Sequence, residues 1–183
     1  ITSRLYFANT FRMAYRDIYP RWGQVIDLRL TAAPLDEKLY NSLKYVSATG
    51  FFPGLGKHHS LMVRAGYEDQ SPARLLLHYN QNPYPRGYNN YISEKLFSLS
   101  ADYTLPLFYP DLAAGRFLYL KRIRGSLFLD GATGWRIHDL NAGTYNEYSS
   151  DFGSFGGELL ADFVILRFPF EISAGASGGY VPE

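Results

Sequence analysis

Long segments of alternating apolar and polar residues, separated by Gly, Pro, Asn and Asp, are the feature that most constrains this chain. Alternation with a period of two places successive side chains on opposite faces of a strand, and helical periodicity is hard to find in the sequence. Eight segments fit strands, at about 4–16, 23–33, 42–52, 58–69, 91–105, 118–132, 153–168 and 171–181. They exceed the roughly five or six residues of a common soluble strand and match the roughly nine to eleven that cross a bilayer at a tilt. The sequence therefore predicts an all-β fold, an antiparallel transmembrane β-barrel.

The composition fits a β-protein at a boundary between apolar and polar surroundings. Aromatic residues make up 17% of the chain and charged residues 19%, against roughly 25% charged residues in soluble domains. The formal net charge of +1 gives no reason to expect nucleic-acid binding. Because the chain has no Cys, it has no disulfide, thiolate metal site or Cys nucleophile. Its most apolar run, residues 161–168, is too short for a membrane helix, so a membrane-spanning form would have to be a closed barrel.

Connection length alternates along the chain, as it does in outer-membrane barrels with short periplasmic turns and long external loops. The long connections are 33–41, 70–90 and 133–152, and the short ones are 18–22, 53–57 and 168–170. The connection 106–117 is expected on the short side, although it is long for a turn. Following this alternation, both ends of residues 1–183 lie on the external side. We therefore expect the chain to be part of a larger barrel with further strands at both ends.

Three segments near the C-terminus separate charged from apolar residues most clearly. One face carries Asp102, Arg122, Arg124, Asp130, Glu158 and Asp162, and the other carries Phe97, Leu99, Leu127, Leu129, Phe163 and Ile165. An Arg or Lys that faces lipid at mid-bilayer costs about 2 to 4 kcal/mol. The charged face would therefore line the lumen of a membrane barrel. The same alternation also fits a soluble barrel or sandwich, in which the apolar face would turn inward.

Residues 85–159 contain three motifs that resemble a known family. Pro85-Arg86-Gly87-Tyr88 precedes the fifth strand, Phe128-Leu129-Asp130-Gly131-Ala132 lies on the sixth, and Ser154-Phe155-Gly156-Gly157-Glu158-Leu159 lies on the seventh. Together they resemble the C-terminal barrel region of the outer-membrane insertase and translocase superfamily, of the BamA, TamA and FhaC (bacterial surface antigen) type. That family carries Val/Ile-Arg-Gly-Phe/Tyr on an inward-folded loop, followed by Phe-x-Asp-x-Gly and Ser-x-Gly-x-Gly-Leu strands. Here Pro85 and Glu158 depart from the pattern, and Gly131 and Ala132 stand in swapped order.

The resemblance implies a site and a function. The loop at 70–90 would fold into the lumen, where Arg86, followed by Gly87 and Tyr88, would pair with Asp102 and Asp130. Arg122, Arg124, Glu158 and Asp162 are expected as further lumenal charges. The barrel would have sixteen strands, lie in the bacterial outer membrane and assist protein or lipid insertion or translocation without a cofactor. Its expected partners are outer-membrane lipids, lipopolysaccharide, and a periplasmic domain or accessory proteins.

Other functions stay open from the sequence. Leu166–Phe170 and Gly179–Glu183 resemble barrels that follow a periplasmic TolB-like propeller, which would make this chain a plugged anchor. A passive porin-like channel is a third interpretation. His138 and Asp139, placed in a loop, are the candidates for a hydrolase, but adjacent strand residues point apart and no Ser motif accompanies them, so we expect no enzyme.

Two sets of residues are given general roles. His58, His59 and His78 are interpreted as solvated surface residues without a metal. The residues expected in aromatic belts at the two membrane interfaces are Trp22, Trp135, Tyr6, Tyr15, Tyr19, Tyr45, Tyr67, Tyr109 and Tyr119.

Overall fold

The structure is a computed structural model that describes residues 1–14, 16–32, 42–70, 78–88, 91–139, 143–146, 149–166 and 170–182. Its strands are β1 (Thr2–Thr10), β2 (Gly23–Thr31), β3 (Leu43–Pro53), β4 (Ser60–Asp69), β5 (Tyr91–Phe108), β6 (Leu112–Ala114), β7 (Leu118–Asp139), β8 (Thr144–Asn146), β9 (Ser150–Ile165) and β10 (Ile172–Tyr180). In this part of the chain no helix has the length and hydropathy needed to cross a membrane.

All ten strands belong to one antiparallel sheet. The long strands pair in the order β1-β2-β3-β4-β5-β7-β9-β10, while β6 and β8 each pair with β7. Within the described residues no ladder joins β1 to β10, so the sheet is open. The all-β class and the sequential antiparallel pairing without closure are therefore confirmed.

Several predicted strand bounds are wrong. β1 ends at Thr10 and not at residue 16, and a turn follows in which the N–H of Asp17 donates to the carbonyl oxygen of Ala14 at 3.0 Å. Most of the predicted loop 133–152 is strand instead. Gly134 pairs with Leu96 of β5 on one side and with Ser150 of β9 on the other. Because β7 pairs with both neighbouring strands here, it continues through a glycine that, in the sequence alone, indicates the end of a strand. His138 accordingly lies on β7 and not in a loop.

The burial of the two faces of the sheet is the reverse of that in a soluble sheet: the apolar side chains are exposed and the charged side chains are buried. On the apolar face, Leu127 and Leu129 are 62% and 63% exposed, and Phe97 and Leu99 are also exposed. On the polar face, Asp102, Arg122 and Asp130 are each 7% exposed and Asp162 is 1% exposed. The segregation predicted from the alternation is confirmed, and no protein core covers the apolar face in the described part of the chain.

A β-bulge adds a charge to the polar face that alternation does not predict. Leu120 pairs with Phe163 and Arg122 with Asp162, so Lys121 has no opposite residue on β9. This irregularity turns Lys121 and Arg122 to the same side, and both are buried. Lys121 forms an ion pair with Glu171.

Some sequence predictions fall outside the described residues. These are the loop 33–41, parts 71–77 and 89–90 of the loop 70–90, parts 140–142 and 147–148 of the loop 133–152, Tyr15, residues 167–169 of the Leu166–Phe170 motif, the side chain of Asp139, and Glu183.

Candidate functional site

The segment 78–88, hereafter the inner loop, lies against the polar face and is anchored near its start by β4. The Gln70 side chain donates to the carbonyl oxygen of His78 at 2.9 Å and accepts from the N–H of His78 at 2.8 Å. The fully buried Glu68 carboxylate accepts from the backbone N–H of Gln81 at 2.9 Å and from that of Asn82. Two side chains of one strand end thus fix the course of the loop.

Gly66 lets the inner loop approach the sheet closely. A Cβ on Gly66 would lie 2.1 Å from Oδ1 of Asn82, which is far closer than any real contact. The Asn82 side chain therefore occupies the space that a larger residue on β4 would fill. Any side chain at Gly66 would displace the side chain of Asn82.

The tip of the inner loop carries Arg86, which faces carboxylates from three strands. Its Nη2 lies 2.6 Å from Oδ1 of Asp102 on β5, its Nε 3.7 Å from Oδ2 of Asp130 on β7, and its Nη1 3.9 Å from Oε1 of Glu158 on β9. The backbone N–H of Arg86 also donates to Oδ2 of Asp130 at 3.2 Å. The guanidinium carbon sits 4.2 Å from the ring centre of Phe128, a cation–π contact. Arg86, Asp102, Asp130 and Glu158 form the loop-side cluster.

The two residues after Arg86 complete the attachment of the tip. Gly87 has a φ of +94°, a conformation that L side chains rarely adopt, and a Cβ there would meet Val181 at 2.7 Å. The Tyr88 hydroxyl donates to the carbonyl oxygen of Gly153 on β9 at 3.2 Å. The Tyr88 ring packs edge-on against Phe152, with ring centres 5.0 Å apart. The tip is therefore held by an ion pair, a backbone turn and an aromatic contact.

A second group of charges lies toward the other end of the polar face. The carboxylate of Asp162 on β9 accepts hydrogen bonds from Nε of Arg122 at 2.5 Å, from Nε of Arg124 at 3.2 Å and from the hydroxyl of Ser173 at 2.6 Å. Arg122 and Asp130 are eight residues apart on β7, which corresponds to about 26 Å along a strand.

Asp17, in the connection between β1 and β2, joins this second group. Its carbonyl oxygen accepts from Nη1 of Arg122 at 3.1 Å, and its Oδ1 lies 2.7 Å from Nδ1 of His58. Burial raises the pKa of Asp17, but the hydrogen bonds from His58 and from the backbone N–H of Ala14 lower it more, so the pKa lies below its ordinary value. Asp17, His58, Arg122, Arg124 and Asp162 form the turn-side cluster.

The structure thus divides the residues predicted for the site. It brings Arg86, Gly87, Tyr88, Asp102 and Asp130 together, with Glu158 at the edge of the same cluster. Arg122, Arg124 and Asp162 belong to the separate turn-side cluster.

Three anchoring residues were missed by the sequence analysis. Glu68 and Arg64 are both even-numbered residues of β4, and the even-numbered residues of this strand lie on the polar face. The alternation could therefore have predicted that Glu68 faces the inner loop. Gln70 and Asp17 lie just beyond strand ends, where alternation carries no information.

Two predictions about surface residues are wrong. His58 and His59 are not simply solvated, because His58 pairs with Asp17 and Nδ1 of His59 lies 2.8 Å from the Tyr103 hydroxyl. Tyr6 and Tyr45 are not belt residues of the apolar face. Their rings lie on the polar face, 5.0 Å beneath the guanidinium of Arg4 and 5.1 Å beneath that of Arg29, respectively. Trp22, Tyr67 and Trp135 do lie exposed on or beside the apolar face.

These features define an all-β protein with an exposed apolar face, an ion-paired polar face and an inner loop anchored to it. Within the described residues, no group of three or more His, Cys, Asp or Glu side chains is arranged to hold a metal ion. No family model, curated protein or solved structure matches this chain.

Proposed function

We propose that this chain is part of an outer-membrane β-barrel that assists insertion of proteins or lipids into the outer membrane, or their translocation across it. The observation that carries the proposal is the reversed burial, with exposed Leu127 and Leu129 and buried Asp102 and Asp162. In water such a sheet would expose a large apolar surface, whereas in lipid the same surface is covered by acyl chains. A backbone inside lipid must have all its polar groups paired, which requires further strands at β1 and β10.

The inner loop supports the insertase and translocase superfamily in particular. Arg86-Gly87-Tyr88 lies between β4 and β5, and Arg86 contacts Asp102 and Asp130 on the next two long strands. The sequence resemblance implies this pairing. In this function the inner loop would stabilise one conformation of the barrel. Outer-membrane lipids and lipopolysaccharide would surround the barrel, and a periplasmic domain or accessory proteins would lie on its periplasmic side.

A plugged barrel that anchors a periplasmic domain is the second candidate. It is favoured by the number of separate attachments of the inner loop, at Glu68, Gln70, Arg86 and Tyr88. A loop that serves only as a plug needs such fixed attachment, whereas a loop that moves during a transport cycle needs contacts that can break. A passive channel is less compatible with a loop across the polar face.

Depletion of the complete protein from its host distinguishes the candidates. An insertase or translocase should, when depleted, lower the amounts of other outer-membrane proteins while their transcripts persist. Unchanged amounts, with the protein itself in the outer-membrane fraction, would reject that function and favour the anchor. Recovery in the soluble fraction would reject both.

Planar bilayer recordings address the channel. We expect no steady conductance from the wild type and stepwise openings when Arg86→Ala releases the inner loop. Steady conductance in the wild type would favour the passive channel over the two plugged candidates.

A further inference from the structure

The apolar face of β1, β2 and β3 changes character where the strands approach the connection 11–22. Phe7 and Ile26 face each other across β1 and β2, as apolar residues do along most of this face. The next outward pair is Asn9 opposite Gln24, and Gly50 of β3 continues that row. The next row consists of aromatic residues. In it Phe11 lies opposite Trp22, and the backbone N–H of Phe11 donates to the carbonyl oxygen of Trp22 at 3.0 Å. Apolar, amide and aromatic rows thus follow one another toward the turn.

These rows enclose a recess of about 430 Å³, lined by Asn9, Phe11, Trp22, Gln24 and Phe52 among others. The Phe52 ring folds over Gly50, where a Cβ would lie 2.9 Å from it. Trp22 packs edge-on against Phe52, with ring centres 5.7 Å apart. The aromatic rings form walls, and the two amides supply polar groups inside them.

The amides have no partner within the described residues, since no hydrogen bond there joins Asn9 or Gln24 through its side chain. An amide that enters an apolar environment without a hydrogen bond costs free energy. In the proposed membrane setting, a ligand that brings acceptor oxygens to these two amides would satisfy their N–H groups. Exposed Arg12 and Arg21 come one residue beyond the aromatic row in the chain, directly after Phe11 and directly before Trp22, and do not line the recess themselves.

We propose that this recess binds a glycerophospholipid with an anionic headgroup from the leaflet on the turn side. The order of the rows matches the order of chemical groups in such a lipid. The acyl chains meet Phe7 and Ile26, the ester carbonyl oxygens accept from the amides, and the phosphate lies near Arg12 and Arg21. Trp22 would then lie at the membrane–water interface, where indole rings concentrate in membrane proteins. The inference rests on the proposed membrane location, and it adds a lipid class and a position to it.

Fluorescence quenching in vesicles tests the site, because the chain has two tryptophans. The complete protein with Phe in place of every tryptophan except Trp22 reports from Trp22, and the protein that keeps only Trp135 reports from Trp135 as the matched control. Each is reconstituted in phosphatidylcholine that contains a minor fraction of either phosphatidylglycerol or phosphatidylcholine brominated near the ester. We expect Trp22 to prefer the brominated phosphatidylglycerol by at least about fivefold, the effect of one arginine beside an anionic headgroup. Trp135 should show no such preference.

Variants assign the contacts. Arg12→Gln with Arg21→Gln should bring the preference at Trp22 close to one, whereas Arg116→Gln, in another exposed connection on the same side, should leave it unchanged. Asn9→Leu with Gln24→Leu should weaken quenching of Trp22 by both brominated lipids.

The outcomes separate this proposal from the one on which it rests. Equal quenching of Trp22 by both lipids, or a preference that survives loss of both arginines or disappears with Arg116→Gln, overturns the lipid site and leaves the barrel intact. Absence of quenching at both tryptophans in every vesicle overturns the membrane location and the lipid site together.

Discussion

The loop-side and turn-side clusters both pair charged side chains on the polar face, but they use different parts of the chain to do so. In the loop-side cluster the cation comes from a loop, its side chain is 39% exposed, and two of its three carboxylate contacts are longer than 3.5 Å. In the turn-side cluster Arg122 and Asp162 both come from strands, their side chains are 8% and 1% exposed, and Nε of Arg122 lies 2.5 Å from Oδ2 of Asp162. We infer that the turn-side cluster fixes the sheet, whereas the loop-side cluster fixes only the inner loop on it.

The largest effect should come from the turn-side cluster. Arg122→Met leaves Asp162 buried with a weaker set of partners, and breaking a buried pair costs about 3 to 5 kcal/mol. The free energy of unfolding of the complete protein can be measured by urea titration in micelles, with Arg116→Met as the exposed control. A loss no larger than that of the control would show that the two clusters do not differ in the way inferred here.

Arg86→Ala should have a smaller effect on global stability and a larger one on the inner loop. The loss of a hydrogen bond between charged groups costs about 2 kcal/mol at a half-exposed site. Limited proteolysis within 78–88 should become faster, and the heat-modifiable gel shift should weaken, whereas Arg116→Ala should leave both unchanged. Arg86→Lys should restore little, because an ammonium cannot reproduce the planar guanidinium contacts with three strands. Wild-type behaviour of Arg86→Ala in both assays would remove the anchoring role of Arg86.

Glu68→Gln addresses the start of the inner loop and should cost less again. The amide retains one acceptor oxygen, but its NH₂ group would face one of the backbone N–H donors of Gln81 and Asn82, at a cost of about 1 to 2 kcal/mol. Hydrogen exchange should increase at these two amides while the contact of Arg86 with Asp102 persists. If exchange increases equally over the whole of 78–88, the start and the tip of the inner loop are not attached independently.

The smallest effect concerns pH and the connection between β1 and β2. Because the folded-state pKa of Asp17 is lowered, its contribution is present above the unfolded-state value near 4 and is lost as pH falls through the folded-state pKa. For a pair whose His58 side chain is 29% exposed, the contribution should be under about 1 kcal/mol. Unfolding titrations of wild type and Asp17→Asn should therefore converge in acid. Parallel curves down to acidic pH would contradict this assignment.

The sequence was sufficient for the fold class, the strand order and the two faces, because each depends on period-two alternation that persists through whole strands. The pairing of Arg86 with Asp102 and Asp130 followed from a resemblance together with that alternation. The bulge at Lys121 and the extent of β7 did not follow, since both depend on neighbouring strands that are distant in sequence. Asp17 and Gln70 were missed because they act from irregular backbone.

The bridge between Asp17 and Arg122 also constrains the order in which the chain can fold. It joins residues 105 positions apart, whereas each hairpin of the sheet closes over a much shorter stretch. Closing so large a loop costs more entropy than closing one hairpin, unless the intervening hairpins have already formed and shortened it. We therefore expect the hairpins to form first, each nucleated at its own turn, and this bridge to form late. In refolding experiments Arg122→Met should then accelerate unfolding through the lost bridge, which is absent from the transition state, and slow folding only through the lost pair with Asp162 inside the β7–β9 hairpin.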